Sequence, residues 1–251
     1  MTRHVLYCVG GWLALVVAAG AQDMPLSQII PNDGDWKLAK DGYGKIDLLL
    51  PRPGGQVWVY HDKGVDRATD ASVRETDAKA ETMHPPQLRT VSGLLYVIRG
   101  NPPKVELLGG KRPTVSTPGV SQPTCMTTDP DESTLFVGDA AGKAVWTFRI
   151  EKDGRLTAPA PYCALRLRPG ETSITTTSLA TDAKGRTYAC TPIGIQVFDP
   201  TGRLCGILAK PGPGDMSSLA FGGADLDVLF VACGDKLYTR KMLAKGIPAA
   251  R

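Results

Sequence analysis

Histidine, aromatic residues and clusters of one charge are all scarce in this chain. It contains 3 histidines in 251 residues, and its formal net charge of +4 comes from lysines and arginines that are scattered along the sequence. No Cys-x-x-Cys pair is present, so the usual ligand pattern of a structural zinc site is missing. Without a basic run or interleaved aromatic residues, the sequence gives no indication of nucleic-acid binding.

Several motifs and patterns are missing as well. There is no Gly-x-Ser-x-Gly motif, and Gly109–Lys111 lacks the rest of a phosphate-binding loop. No segment repeats apolar residues with a helical period. The best helix candidate, Asp66–Glu81, is polar and is interpreted as a solvated loop or a marginal surface helix. Glycine and proline are plentiful, at 28 and 20, which favours an all-β fold with many turns.

The N-terminus has the features of a secretory signal peptide. Arg3 precedes an apolar run, Val5–Val17, and Ala19–Ala21 fits the small-x-small cleavage rule. The run is shorter than the roughly 20 residues of a membrane-spanning helix, which favours cleavage over the alternative of an uncleaved anchor. We therefore predict a signal peptide over residues 1–21, a single domain over 22–251, no membrane association after cleavage, and a secreted or periplasmic location.

Five cysteines remain after the predicted cleavage. An odd number implies at least one free thiol or an intermolecular bond. Most of these cysteines lie in apolar strand patterns, which is typical of small buried hydrophobic side chains. They are Cys125, Cys163, Cys190, Cys205 and Cys233.

A turn followed by a short strand with a central aromatic residue occurs five times. The spacing of about 40 to 50 residues is typical of propeller blades and favours a β-propeller over a β-sandwich. We predict five to six blades of four-stranded antiparallel sheet, with one blade eroded at the second or third position. Ring closure is expected between "DWKLAKDGYG" and "DKLYTRK". The aromatic residues are Trp58, Tyr96, Phe136, Tyr188 and Phe230.

Two C-terminal stretches carry a family resemblance. "TDAKGRTYACTPIGIQVFDPTGRLCGIL" and "SSLAFGGADLDVLFVACGDKLYTRK" resemble the last blades of the gluconolactonase and regucalcin (senescence marker protein) family. "TTDPDESTLFVGDAAGKAVWTFRI" resembles a further blade, and "DGYGKIDLLLPRPGGQVWVY" resembles the first one. The resemblance is strongest over residues 122–241. It implies a six-bladed propeller that opens sugar lactones or similar esters.

The resemblance also implies a divalent metal, calcium or zinc, in the central channel. In the family, a glutamate, an asparagine and an aspartate hold the metal, which polarises the lactone carbonyl. The corresponding positions here are Asp47, Thr124 and Thr177. Asp47 keeps the charge on a shorter side chain, whereas threonine hydroxyls are neutral, weak ligands. Thr177 stands at the position of the family's catalytic aspartate, so we expect an impaired metal site and an inactive catalytic position.

A different alignment would supply other ligands. If the alignment is shifted by a few residues, Asp129, Asp139, Glu171 or Asp182 become the candidates. Asp129 and Asp182 lie in turns, where aspartate commonly bonds its own backbone. Asp139 ends a strand and Glu171 lies in a loop, so either side chain is a candidate to face the channel.

Two functions follow from these features. The first is a metal-dependent hydrolase of sugar lactones, which the resemblance implies over about half of the chain. The second is a non-catalytic propeller that binds a small molecule or a protein partner at its channel. The two threonines favour the second function, as does the absence of the family's substrate-positioning segment between the second and fourth blades.

Overall fold

Short antiparallel sheets are the main regular structure of the described chain. The computed structural model describes residues 25–32, 34–69, 72–75, 87–109 and 115–249. In this part of the chain, five small sheets are arranged as the blades of a five-bladed β-propeller. The all-β prediction is confirmed. The described residues form five blades, the lower number of the predicted five to six. The six blades that the family resemblance implied are not found in them.

Each blade is numbered from the first complete sheet in the sequence. Strand β1 (Lys37–Lys40) belongs to the fifth blade. The first two blades contain β2 (Ile46–Arg52), β3 (Gln56–His61), β4 (Gly64–Ala68) and β5 (Val73–Glu75), then β6 (Gln87–Arg89), β7 (Leu95–Arg99) and β8 (Lys104–Leu108). The third contains β9 (Pro123–Thr128), β10 (Thr134–Asp139), β11 (Ala144–Ile150) and β12 (Leu156–Ala164). The last two contain β13 (Ser178–Thr181), β14 (Thr187–Thr191), β15 (Gly194–Phe198) and β16 (Leu204–Leu208), then β17 (Met216–Gly222), β18 (Val228–Cys233) and β19 (Lys236–Lys241). Two short 3-10 helices, Leu26–Gln28 and Pro53–Gly55, complete the elements.

The five recurring aromatic residues occupy the same place in every blade. Each lies in the second strand and pairs across to the innermost strand, as Tyr188 does with Ala180 and Phe230 with Ala220. Four of the five are buried, and Trp58 is half-buried. Each buried ring fills the space between neighbouring blades, which explains why the repeat was visible in the sequence.

The second blade is smaller than the others. Within the described residues it has three strands, whereas each of the other blades has four. Beyond its outer strand, the Val115 amide donates to the Val105 carbonyl. Within the described residues, which leave out 110–114, the second blade agrees with the prediction of one eroded blade.

The segment Asp66–Glu81 was interpreted wrongly as a loop or helix. Its first residues end β4, and Val73–Glu75 forms β5, which pairs with β4 through Asp66 and Glu75. The remaining residues of that segment lie outside the described ranges. The polar composition misled because β5 is a short edge strand: Arg74 and Glu75 are exposed, and Val73 is the residue that packs partly against the core.

The ring is closed by the N-terminal strand. Strand β1 pairs antiparallel with β19, with Lys37 opposite Thr239 and Leu38 opposite Tyr238. The predicted closure is therefore confirmed. A buried carboxylate, Asp66, ties this strand to the first blade: Lys40 Nζ lies 2.8 Å from Asp66 Oδ2.

Cysteines and apolar side chains fill the spaces between blades. Cys125, Cys163, Cys190 and Cys233 are buried, and Cys205 is half-buried. None of these five is in a disulfide. Their interpretation as small buried hydrophobic residues is confirmed for the first four. Among the described residues, no helix is both long and apolar enough to cross a membrane.

Candidate functional site: the central channel

A cavity of about 350 Å³ lies along the propeller axis. Its wall is formed by residues of the innermost strand of every blade, β2, β6, β9, β13 and β17. Strands β9 and β13 run in the same direction, because Thr124 meets Thr176 at one end of β9 and Thr127 meets Thr181 towards the other, and paired contacts show the same for β13 with β17 and for β17 with β2. The channel thus has an upper mouth, where the inner strands begin, and a lower mouth, where they end.

Four polar side chains form a ring at the upper mouth. Asp47, Thr124, Thr177 and Ser217 line the cavity at or near the start of four inner strands. The structure therefore brings together all three of the predicted site residues. Ser217 occupies the corresponding place in the fifth blade, and Gln87 lines the cavity at the start of β6 in the second blade. The roles of Asp47, Thr124 and Thr177 in metal binding and of Thr177 in catalysis stay predictions.

The hydroxyl groups of this ring link the third blade to the fourth, the fourth to the fifth and the fifth to the first. Thr124 Oγ1 donates to the Thr176 carbonyl, and Thr177 Oγ1 donates to the Met216 carbonyl at 2.8 Å. Ser217 Oγ donates to the Ile46 carbonyl, also at 2.8 Å. Each hydroxyl hydrogen is used within the protein, so only oxygen lone pairs remain for a ligand in the channel.

A second layer of serines lies one residue further down. Ser178 Oγ accepts a hydrogen bond from the Leu219 amide, and Ser218 Oγ accepts one from the Leu49 amide. These bonds satisfy backbone amides at the free edges of the inner strands, where a neighbouring strand would otherwise have to pair. They fix the relative height of the blades, and with it the height of the ring.

Asp47 is the carboxylate of the ring. Its side chain is 20% exposed, and its Oδ1 lies 2.7 Å from Lys45 Nζ, whose side chain is 74% exposed. Glu132 is the other acidic residue among the described residues that line the cavity. It lies at the lower mouth, beyond the end of β9, where its carboxylate accepts hydrogen bonds from the Val91 and Ser92 amides. The two carboxylates are at opposite ends of the channel.

The alternative metal ligands are all engaged elsewhere. Asp139 accepts hydrogen bonds from Ser121 and neighbouring amides, and Asp182 accepts from Arg186 and Tyr188. None of Asp129, Asp139, Glu171 and Asp182 is among the described residues that line the channel. The shifted alignment therefore gains no support from the structure.

The donor set of the ring does not fit a divalent metal. In the described ranges, no group of three or more His, Cys, Asp and Glu side chains is close enough to hold a metal ion. The ring offers one carboxylate, already paired with a lysine, and three neutral hydroxyls whose hydrogens are donated to backbone carbonyls. Calcium and similar hard cations require several oxygen ligands, commonly including more than one carboxylate.

Below the ring, aliphatic side chains line the channel together with polar ones: Thr127, Thr128 and Thr181 contribute as well, and Arg52 and Arg89 line it near the ends of β2 and β6. A bound molecule would meet a polar ring above and a wall of mixed character below. The apolar part of the wall includes Leu49, Leu50, Leu88, Met126, Leu179, Ala180, Leu219 and Ala220.

The lower mouth is lined by the C-terminal segment. The Lys245 carbonyl accepts from the Ala183 amide, and the Gly246 amide donates to the Leu226 carbonyl. Gly246 packs so closely on the Phe221 ring that a Cβ there would lie 2.2 Å from the Phe221 Cβ. Ile247, Pro248 and Ala249 then line the cavity. Nothing in the sequence pattern predicted this contribution, because residues 242–249 form no strand.

Comparisons with known proteins agree with this architecture. The model of the SMP-30/gluconolactonase/LRE-like region matches residues 68–234. A putative gluconolactonase of known structure is similar with a TM-score of 0.64 and 15% identity, over 88% of this chain and 96% of that chain. A gluconolactonase from Xanthomonas campestris is similar with a TM-score of 0.57 and 14% identity, over 86% and 92%. A luciferin-regenerating enzyme is similar with a TM-score of 0.55 and 15% identity, over 82% of this chain and 81% of that chain. No curated protein matches the sequence.

Proposed function

The chain belongs to the SMP-30/gluconolactonase/LRE-like family, and from this premise we propose that it is a secreted propeller that binds a small, uncharged polar molecule in its channel. A sugar or a sugar lactone is the favoured ligand, and the protein does not hydrolyse it through a metal ion. One observation carries this proposal: the ring around the upper mouth has a single carboxylate, and that carboxylate is paired with Lys45.

The shape and chemistry of the channel support a ligand of this kind. A volume of about 350 Å³ is within the range of small-molecule sites. Asp47 and the free lone pairs of the ring hydroxyls would accept hydrogen bonds from sugar hydroxyls. The aliphatic side chains below would contact the carbon skeleton. A nucleic acid is not a proposed partner, and the oligomeric state is left open.

Metal-dependent hydrolysis of a sugar lactone is the second candidate function. The family membership favours it, together with the position of Asp47 at the channel mouth. In this candidate, Asp47 would hold the metal, assisted by Thr124 and Thr177. The donor set described above weighs against this assignment.

The first experiment titrates the purified protein with D-glucose, D-galactose and D-glucono-1,5-lactone by calorimetry. We expect saturable binding of at least one of these compounds, weakened about tenfold in Asp47→Asn because a charged hydrogen-bond acceptor is lost. Asp227→Asn is the matched control, since Asp227 also pairs with a lysine but does not line the channel. An absence of binding for all three compounds would reject a sugar-like ligand.

Lactone hydrolysis is measured in the same preparations with calcium, zinc or manganese. We expect the rate with protein to equal the rate in buffer. A metal-dependent turnover that disappears in Asp47→Asn but persists in Asp227→Asn would establish the second candidate instead.

Secretion is a separate proposal that rests on the N-terminal sequence. The predicted signal peptide over residues 1–21 falls within residues 1–24, which lie outside the described residues. Expression of the full chain in a bacterial host should give a protein outside the cytoplasm whose mass corresponds to a start at Gln22. A full-length protein held in the cytoplasm or membrane would contradict the proposal.

A further inference from the structure

We propose that Lys45 is a built-in cation that takes the electrostatic place of the metal at the upper mouth of the channel. This inference rests on the proposed function, in which the channel works without a metal ion. It goes beyond that function because it assigns a role to a residue that the family resemblance does not single out. The juxtaposition that carries it is the 2.7 Å contact between Lys45 Nζ and Asp47 Oδ1.

The backbone holds Lys45 in register with the ring. Lys45 directly precedes β2, and its carbonyl accepts a hydrogen bond from the Asp62 amide beyond the end of β3. Asp47 lies two residues further along, where the pairing of β2 with β3 shifts register between Ile46 and Leu48. The start of β2 and this irregularity together place the ammonium group beside the ring carboxylate.

The charge balance of the ring explains why the position of Lys45 affects the binding of a cation. The other members of the ring, Thr124, Thr177 and Ser217, are neutral, so Asp47 is its single negative charge. With Lys45 at 2.7 Å, the formal charge of the pair is zero. A divalent cation that approached Asp47 would have to displace the ammonium group or bind beside it against Coulomb repulsion.

Lys45 also has donors to offer a ligand. An ammonium group carries three N–H donors, and the contact with Asp47 uses one of them. The side chain is 74% exposed, so the remaining donors are open to solvent beside Asp47, which lines the cavity. A ligand that presents a carbonyl or hydroxyl oxygen to the ring fits both partners, because Lys45 donates and Asp47 accepts. Lys45 would therefore determine specificity for an oxygen-bearing ligand.

The test restores a metal site and asks whether Lys45 opposes it. Thr177→Asp places a second carboxylate in the ring, and Mn²⁺ binding is then measured by calorimetry with and without Lys45→Met. We expect Lys45→Met to tighten Mn²⁺ binding to the Thr177→Asp protein about fivefold, the scale of one partly exposed ion pair. Equal affinities with and without Lys45 would overturn the proposal.

A matched lysine provides the control. Lys241 forms a similar pair with Asp227, at 2.6 Å and with side-chain exposures of 61% and 14%, away from the channel. Lys241→Met removes the same net charge, so in the Thr177→Asp protein it should leave Mn²⁺ affinity unchanged. An equal gain from Lys241→Met would mean that net charge alone is responsible, which also overturns the proposal.

Thr177→Asp removes a hydrogen bond to Met216, so folding is checked by circular dichroism and thermal unfolding. If this variant does not fold, Ser217→Asp adds the carboxylate at the neighbouring ring position, and the same comparison of Lys45→Met and Lys241→Met is made there. Sugar binding by the unmodified protein is measured separately. A failure to bind sugars would reject the proposed function without changing the outcome of the Mn²⁺ comparison.

Discussion

The fourth and fifth blades differ from the first and second in how completely their strands are buried. Every residue of β14, β15 and β18 is buried, whereas β5 and β6 contain none that is. The second blade also has the smallest sheet in the described part of the chain. The family resemblance was strongest in the C-terminal half and weakest in the region of β5 to β8. Sequence patterns are therefore most readable where packing leaves the fewest choices of residue.

The physical reason lies in the two faces of a strand. A strand that is buried on both faces needs a continuous apolar run, and such a run stands out in a sequence. An edge strand with one or two solvated faces accepts almost any polar residue, so its pattern fades. Substitutions in the tightly buried fourth and fifth blades should therefore change stability more than substitutions in the first and second. Three experiments test this difference, from the largest expected effect to the smallest.

The first experiment compares equivalent aromatic residues of the fifth and first blades. Phe230→Ala should lower the free energy of unfolding by about 3 to 5 kcal/mol, because the ring is fully buried and a cavity remains. Trp58→Ala should cost about half as much, because Trp58 is half-buried with the Arg52 guanidinium over its ring. Urea unfolding of both variants measures the difference, and equal losses would mean that the first blade is packed as tightly as the fifth.

The second experiment probes the seam where the two regions meet. Burial raises the pKa of Asp66, but hydrogen bonds from Lys40 and Tyr43 outweigh this effect and hold the pKa below its ordinary value. A carboxyl group with a lowered pKa contributes stability above its unfolded pKa of about 3.9, and this contribution is lost as the pH falls through the folded pKa.

Asp66→Asn should therefore cost about 2 kcal/mol at pH 7 and much less at pH 3, because the wild-type protein itself loses the contribution in acid. Urea unfolding at both pH values gives the two differences. Asp227→Asn is the control, since Asp227 pairs with the mostly exposed Lys241. A cost for Asp66→Asn that does not change with pH would show that the ion pair is not responsible.

The third experiment uses the five cysteines that follow residue 24. All five lie in the third to fifth blades. Burial raises the pKa of Cys125 and of Cys163 to about 12, and it also raises the pKa of Cys190 and Cys233. Since the thiolate is the reactive form, these four thiols should react slowly with a disulfide reagent at pH 8.

Cys205 is half-buried and should react fastest. In protein that lacks residues 1–21, we expect one fast thiol that disappears in Cys205→Ser. At urea concentrations below the main transition, the other four should stay protected even if the first two blades loosen. Rapid labelling of all five thiols in native buffer would contradict the tight packing of the C-terminal blades.

Much of the fold was predictable from particular residues. The five aromatic residues marked the second strand of each blade, and "DWKLAKDGYG" was correctly placed beside "DKLYTRK" as the closing seam. The edge strand Val73–Glu75 was missed, because three residues with one apolar side chain are too few to show an alternation. Asp47, Thr124 and Thr177 were identified through the family resemblance, and the structure brings them to one cavity.

The sequence by itself determined the architecture, because buried strands with recurrent aromatic residues must pair and stack as blades. It also determined which residue types stand at the family's ligand positions, since that follows from local motifs. Only the tertiary structure decided that Ser217 joins the ring, that Lys45 pairs with Asp47 and that residues 247–249 line the lower mouth. These features depend on how separate blades and the C-terminal segment meet around the axis. Contacts between segments far apart in the chain leave no periodic signal in the sequence.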